Sequence, residues 1–359
     1  MKASKLYFII VAALVVLNTH AFAQSKPKSN KTVRFAAIPI ITYNRTQGAV
    51  IGANTSVYYK LNKKDTISPH SNTGLIGIYT VQKSWVIGFN QTLYFNEDRW
   101  RSKINIYRGA INFQYYDWDD VANVGGFEDY SNQSTVAKGQ LQHKVWKRWY
   151  AGLYGAYNYT KTYFTSHNDS LDVRRMSNMG YVISNDSRNN VQFPSRGVFL
   201  NYLHQFYRDW TGSDNNFTKL KIVYNQFFDL LKDQRHVLVA RATMNIATGD
   251  VPFQGQSVVG SDDIRGYSQG QYRGNQVYAV QSEYRWMFNR SKFGVVGFFG
   301  IASAVESFSD IFKSPLLPGG GAGVRFRAIP SLKVNIGVDV GFGKNDYSLT
   351  FRIGEAFSR

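Results

Sequence analysis

The amino-acid sequence predicts an all-β fold, a transmembrane antiparallel β-barrel of sixteen strands. Three observations predict it. Segments of about ten residues with apolar side chains at alternate positions recur along the chain and close on turn residues, the signature of strands that face lipid on one side and water on the other. Aromatic residues make up 16% of the chain, and 31 glycines stand against 8 prolines, a balance that suits strands. Mean hydropathy is only −0.32, which a barrel explains because the lumen-facing half of every strand cancels the lipid-facing half in any average.

The elements follow in order. Lys2 and Lys5, the apolar run Leu6 to Leu17 and the small-x-small site Ala21-Phe22-Ala23 predict a cleaved signal peptide over residues 1–23. That run is too short for a helix to span roughly 30 Å of hydrocarbon at about 1.5 Å per residue, and no later apolar run approaches the roughly 18 residues a helical span needs. Residues 24–32 read as a short periplasmic segment, and 33–359 as one barrel. Strands are predicted at 33–44, 49–60, 72–80, 84–95, 100–113, 135–147, 149–163, 179–186, 197–207, 217–228, 236–248, 277–288, 293–304, 321–328, 332–342 and 347–357. The alternation is plain in Ile87, Phe89 and Leu93 against Gly88, Asn90 and Thr92, and in Leu220, Ile222 and Tyr224 against Lys219, Lys221 and Asn225. Trp149, Tyr163, Trp286 and Tyr347 sit near strand ends, where interfacial girdles form. With both ends in the periplasm, the outward connections 117–134, 164–178, 249–276 and 305–320 are long, and 147–148, 289–292 and 329–331 are short turns. Two inward connections, 61–71 and 186–197, break that rule.

Three motifs narrow the reading. Asp186-Ser187-Arg188-Asn189-Asn190 with Pro194-Ser195-Arg196-Gly197 resembles the D-[ST]-R…P-x-R-G turn of the bacterial surface antigen family, to which the BamA and TamA assembly barrels belong. Ile264-Arg265-Gly266-Tyr267 resembles that family's [VI]-R-G-[FY] hallmark, and the strand count independently places it in the sixth outward loop. The C-terminal alternation of Tyr347, Leu349, Phe351, Ile353 and Phe357 resembles the signal by which the barrel assembly machinery recognises its clients, except that Ser358 and Arg359 follow the last aromatic. The resemblance spans the barrel and is strongest from Asp186 to Phe357.

The resemblance implies that the loop folds back into the lumen, where Arg265 meets acidic residues of the wall. Phasing supplies two inward acids, Glu283 beside Gln281 and Arg285, and Asp339 beside Lys333 and Asn335. A third acid, usual in the family in an F-x-D-x-G pattern, is replaced by Gly300 within Phe298-Phe299-Gly300-Ile301-Ala302, which makes Asp339 or Glu283 the expected partner. Assembly barrels of the family carry periplasmic modules, for which nine residues before the first strand leave no room.

No enzyme is expected. Without cysteine there is no thiol nucleophile or Cys-ligated metal, and the six histidines lack metal spacing. The G-x-S-x-G match at residues 266–270 overlaps the loop motif and lacks a strand-to-helix setting, and the glycines at 319–321 read as a loop entering a strand. No cofactor is expected. The net charge of +18 fits an anionic partner, and export argues against nucleic acid; the expected partners are outer-membrane lipids and an unfolded client protein or a separate periplasmic protein. Two functions stay open: insertion or translocation of proteins at the outer membrane, or a passive pore. Phasing puts Lys219, Lys221, Arg241, Arg285, Arg325, Arg327 and Lys333 on the lumen face against only Glu283 and Asp339. The pore is therefore expected to prefer anions, and a reversal potential favouring cations in a planar bilayer contradicts this phasing.

Overall fold

The computed structural model describes residues 33–44, 47–119, 124–164, 170–268 and 270–358. The signal peptide at 1–23 and the segment at 24–32 lie outside the described residues. The chain divides into two units, Met1–Val33 and Arg34–Arg359, and the second carries the fold.

Its strands are β1 (Val33–Asn44), β2 (Gly48–Tyr59), β3 (Ser71–Thr80), β4 (Trp85–Phe95), β5 (Trp100–Asp119), β6 (Val124–Trp146), β7 (Trp149–Phe164), β8 (Ser170–Arg175), β9 (Asn178–Asp186), β10 (Gly197–Tyr207), β11 (Phe217–Asp229) and β12 (His236–Gly249). After a long connection come β15 (Gln276–Met287), β16 (Phe293–Val305), β17 (Leu317–Ile329), β18 (Val334–Gly343) and β19 (Asp346–Ile353). Within that connection β13 (Ser257–Val258) and β14 (Arg273–Gly274) pair only with each other. The main sheet has 17 strand segments, each paired antiparallel with its neighbour in sequence. Because β8 and β9 lie one behind the other along the same edge of β7, they are two halves of one pass, and the wall has the sixteen passes expected. The barrel is not closed: among the described residues β1 meets β19 at the single pair Asn44↔Ser348.

The faces are inverted relative to a water-soluble sandwich. Leu75, Ile87, Leu153 (70% exposed), Val280, Phe299 (63% exposed) and Val324 project outward, whereas Gln142, Asn225, Arg241, Glu283 and Arg325 are buried inside. An apolar belt of this extent suits lipid and not water. Tyr163, Trp286 and Tyr347 are exposed on the outer face near strand ends.

Four expectations change, and one long inward connection gains a structure the sequence left open. β5 and β6 run on to Asp119 and Val124, into the stretch read as a loop at 117–134, because their ladder continues in register to Asp119↔Val124. There the rings of Tyr115, Tyr130 and Phe164 pack around Phe253 of the long connection. Gly319–Gly321 lie inside β17, paired with β16 and β18, and not in a loop. Lys333 lies outside β18 in the preceding turn, with φ +56, and donates to Gln234 instead of sharing the face of Asp339. Connection 187–196 is a folded plug, with Phe193 and Ser195 buried. Finally, β19 stops at Ile353, where Gly354 takes φ +84; Tyr347, Leu349 and Phe351 keep the alternating phase expected of a terminal strand, whereas Ile353 is buried at the strand end and the tail turns inward and buries Phe357.

The other long inward connection, 60–70, is built around Asp65. Its carboxylate accepts from the Ser68 hydroxyl (2.5 Å) and from the backbone N–H groups of Ile67, Ser68 and Glu97, bracing the β2–β3 and β4–β5 turns together. The Ser68 hydroxyl, then these backbone donors, hold the Asp65 pKa down at about 2. A depressed carboxylate stabilises the fold fully above its ordinary value and loses that contribution as pH falls through the folded one. The brace should therefore hold at pH 4 and relax toward about pH 2; an Asp65 carboxyl resonance that titrates at 3.8 or above contradicts it.

Candidate functional site

The site lies inside the barrel, where three segments from outside the strands converge: the 250–275 connection, the 187–196 plug and the 354–358 tail. Ile264-Arg265-Gly266-Tyr267 lies against the inner wall of β17 and β18. A Cβ on Gly266 would stand 2.6 Å from the Phe342 carbonyl, and its φ of +114 is one that only glycine adopts without strain. Opposite it, a Cβ on Gly319 would stand 2.5 Å from the Arg265 carbonyl. Gly319 of β17 and Gly341 of β18, where a Cβ would stand 2.8 Å from the Gly266 nitrogen, thus form a groove that receives the loop backbone. Tyr267 fixes the register by donating its hydroxyl to the Pro318 carbonyl (2.6 Å) and accepting from the Lys344 N–H (2.9 Å). The Ser268 N–H donates to the Asp346 carboxylate at 2.6 Å.

This seating carries Arg265 to the middle of the lumen, 1% exposed. Its Nη1 lies 2.5 Å from Glu283 Oε2 and 3.0 Å from Asp339 Oδ2, so the two expected acids share it. Its Nε donates to Gln281 Oε1 at 2.9 Å, and its guanidinium lies 3.5 Å from the centre of the Phe298 ring. Gly300, which stands where the family carries an acid, pairs in register with Gln281, so that the neighbouring strand supplies the acceptor.

The network extends in both directions. Arg285 Nε lies 2.6 Å from Glu283, Arg325 Nη1 lies 2.5 Å from Asp339, and Arg352 Nε lies 3.0 Å from Asp339. A third carboxylate, Glu355 of the tail, accepts from Arg325 Nε at 2.9 Å and Asn335 Nδ2 at 2.7 Å. Phe357 enters a cluster of Phe193, Phe199, Phe227, Val237, Val239 and Met287, its ring 5.1 Å from Arg265 and 5.3 Å from Arg241. Asn225 Nδ2 donates to the Phe357 carbonyl.

The turn motif anchors the other end. Arg188 donates to both oxygens of Asp186 (2.7 and 2.8 Å) and to the Ser358 carbonyl, and Arg101 donates to Asp186 at 2.7 Å. Arg285 Nη1 reaches the Pro194 carbonyl at 3.3 Å. Gly197, with φ +103, opens β10, and Arg196 is exposed to solvent. Of the basic residues phased inward, Arg285 and Arg325 join the carboxylate network, Arg241 is buried with Asn225 as its hydrogen-bond acceptor, and Arg327 donates to Asn335. Lys219 donates to the Gly255 and Gln256 carbonyls.

Glu355 and Asp346 were missed by the sequence reading. Glu355 follows the last strand, where alternation no longer defines a face; Asp346 opens β19 and carries an inward signal only through its phase with Ser348.

The comparisons agree with this architecture. A family model described as the Omp85 superfamily domain matches residues 51–357. Among solved structures, BamA from Haemophilus ducreyi lacking POTRA domains 1-3 is similar with a TM-score of 0.56 and 15% identity, covering 90% of this chain and 70% of that one. CdiB from Escherichia coli is similar with a TM-score of 0.60 and 13% identity over 92% of this chain and 64% of that one, and CdiB from Acinetobacter baumannii with a TM-score of 0.57 and 13% identity over 90% and 60%. The chain thus spans less than two thirds of either CdiB structure.

Removing one partner of a buried ion pair strands the other, at a cost of about 3–5 kcal/mol. Arg265→Ala and Glu283→Gln should each lower stability by an amount of that order, and the double variant should cost clearly less than their sum, because the two residues share one interaction. Thermal unfolding in detergent tests this; additive losses contradict a shared network.

Proposed function

Because the chain belongs to the Omp85 superfamily, we propose that it is an outer-membrane barrel of the BamA/TamA type that inserts outer-membrane proteins or translocates a partner chain across the outer membrane of a Gram-negative bacterium. The observation that carries this reading is the contrast between interior and seam. Three segments are locked inside by buried ion pairs, whereas among the described residues β1 and β19 share the single pair Asn44↔Ser348. A backbone hydrogen bond contributes about 0.5–1.5 kcal/mol net, so a seam with one ladder position opens at small cost, while the rest of the wall, paired over whole strands, stays shut. An opened edge presents unpaired N–H and C=O groups on which an incoming strand can pair. Outer-membrane lipids are its surroundings, and an unfolded client or a separate periplasmic protein is its partner.

A second reading, a passive anion-preferring pore, is favoured by a specific observation. Lys219, Lys221 and Arg241 line the lumen, and none of them has a carboxylate partner among the ion pairs of the described residues.

The absence of cysteine from the sequence makes the seam testable. With Asn44→Cys and Ser348→Cys introduced together, the oxidised protein in lipid vesicles should lose its acceleration of the insertion of a denatured client barrel, and reduction should restore it. A barrel that never accelerates insertion and exports no partner supports the pore. Activity indifferent to the cross-link overturns the seam mechanism.

A further inference from the structure

In the half of the lumen above the arginine network, β11 presents Lys219 and Lys221 side by side on its inner face. Lys138 of β6 faces them closely enough for its charge to act on both. Among the described residues, no carboxylate comes within ion-pair distance of these three ammonium groups. Two acids, Asp262 and Asp263, line one cavity with Lys219 and Lys221 without forming an ion pair with them. Asp263 accepts from Thr243 Oγ1 (2.9 Å), Asn245 Nδ2 (3.1 Å) and the Gly260 N–H (3.3 Å), and the charge of the exposed Asp262 acts on Arg241.

Lys219 and Lys221 border a polar cavity of about 230 Å³ that is closed on its other side by the 257–263 stretch of the loop. Two donors are unused there. The Ser257 hydroxyl, 3% exposed, has no hydrogen-bond partner, which is uncommon for a buried polar group. Among the described residues Lys221 Nζ has no hydrogen-bond partner, whereas Lys219 is tied to the loop carbonyls of Gly255 and Gln256 and stands fixed at the cavity edge. Neither ammonium group is ion-paired with the two carboxylates of the lining, so the lysine charges and the unused donors call for an oxyanion and not for a neutral occupant.

We propose that this cavity is a binding site for a small oxyanion of the phosphate or sulfate class. Lys219 and Lys221 supply the charge, Lys138 adds long-range attraction, and the Ser257 hydroxyl donates to one oxygen. The site is required by neither reading of the barrel's role, since insertion, export and passive conduction all proceed without an occupant. Binding would tie the loop to β11 and so steady the segment that carries Arg265.

The test is calorimetric titration of the detergent-purified protein with inorganic phosphate at low ionic strength, paired with thermal unfolding. Saturable one-site binding and a raised melting temperature are expected for the wild type. Lys221→Gln should weaken binding at least tenfold, and Asp262→Asn should strengthen it by removing a rim charge. Sulfate should compete. If Lys219→Gln fails to fold because it releases the loop carbonyls, Lys221→Gln still decides, since that side chain makes no such bond. Absence of saturable binding, equal binding in Lys221→Gln, or equal stabilisation by chloride at matched ionic strength overturns the proposal.

Discussion

Four arginines, Arg265, Arg285, Arg325 and Arg352, share three carboxylates, Glu283, Asp339 and Glu355, at the centre of the lumen. Taking each charge out of water costs several kcal/mol even after relaxation, so the arrangement persists only when every member has its partners. The members come from the wall, the long connection and the tail. None of these three parts can settle without the other two, and the interior therefore behaves as one cooperative unit. The one surplus positive charge lies where the ring of Phe298 faces Arg265 at 3.5 Å and that of Phe357 lies at 5.1 Å, so aromatic faces partly offset it.

This interior contrasts with the seam. Along most of the wall, adjacent strands pair over eight or more consecutive positions, but β1 and β19 share one among the described residues. Stability is thus unevenly distributed, high at the core of the lumen and low at one vertical line of the wall, and local opening is drawn to the weakest cooperative unit. The tail links the two regions: residues 354–358 leave the last strand at the seam and finish against Arg188, Asn225 and Arg325.

Much of this was legible in the sequence, and what was not has identifiable causes. The period-two phase placed Glu283, Arg285, Arg325 and Asp339 on the inner face, and the loop motif marked Arg265, because both signals are local. Phase fails wherever a strand ends. Lys333 sits one residue before β18, in a left-handed turn, and leaves the face its number suggests. Phe357 continues the alternation of Tyr347, Leu349 and Phe351, yet Gly354 turns the chain and sends it inward. Gly319–Gly321 resemble a loop by composition but lie in a strand, where a Cβ on Gly319 would run into the Arg265 carbonyl of the loop and one on Gly321 into the Val340 carbonyl of β18. The added length of β5 and β6 depends on rings that pack on Phe253, more than a hundred residues away in sequence.

The sequence by itself determined the inverted barrel, its sixteen passes and the inward direction of the charged residues, because alternation along a strand is a property of neighbours in the chain. Only the tertiary structure decided which charges meet. Arg265 reaches Asp339 across 74 residues and Arg188 reaches Ser358 across 170, and strand phase carries no information about distances around a ring. Those meetings follow from the burial of charge, which requires a partner and accepts it from any segment that the closed-in space brings within about 3 Å.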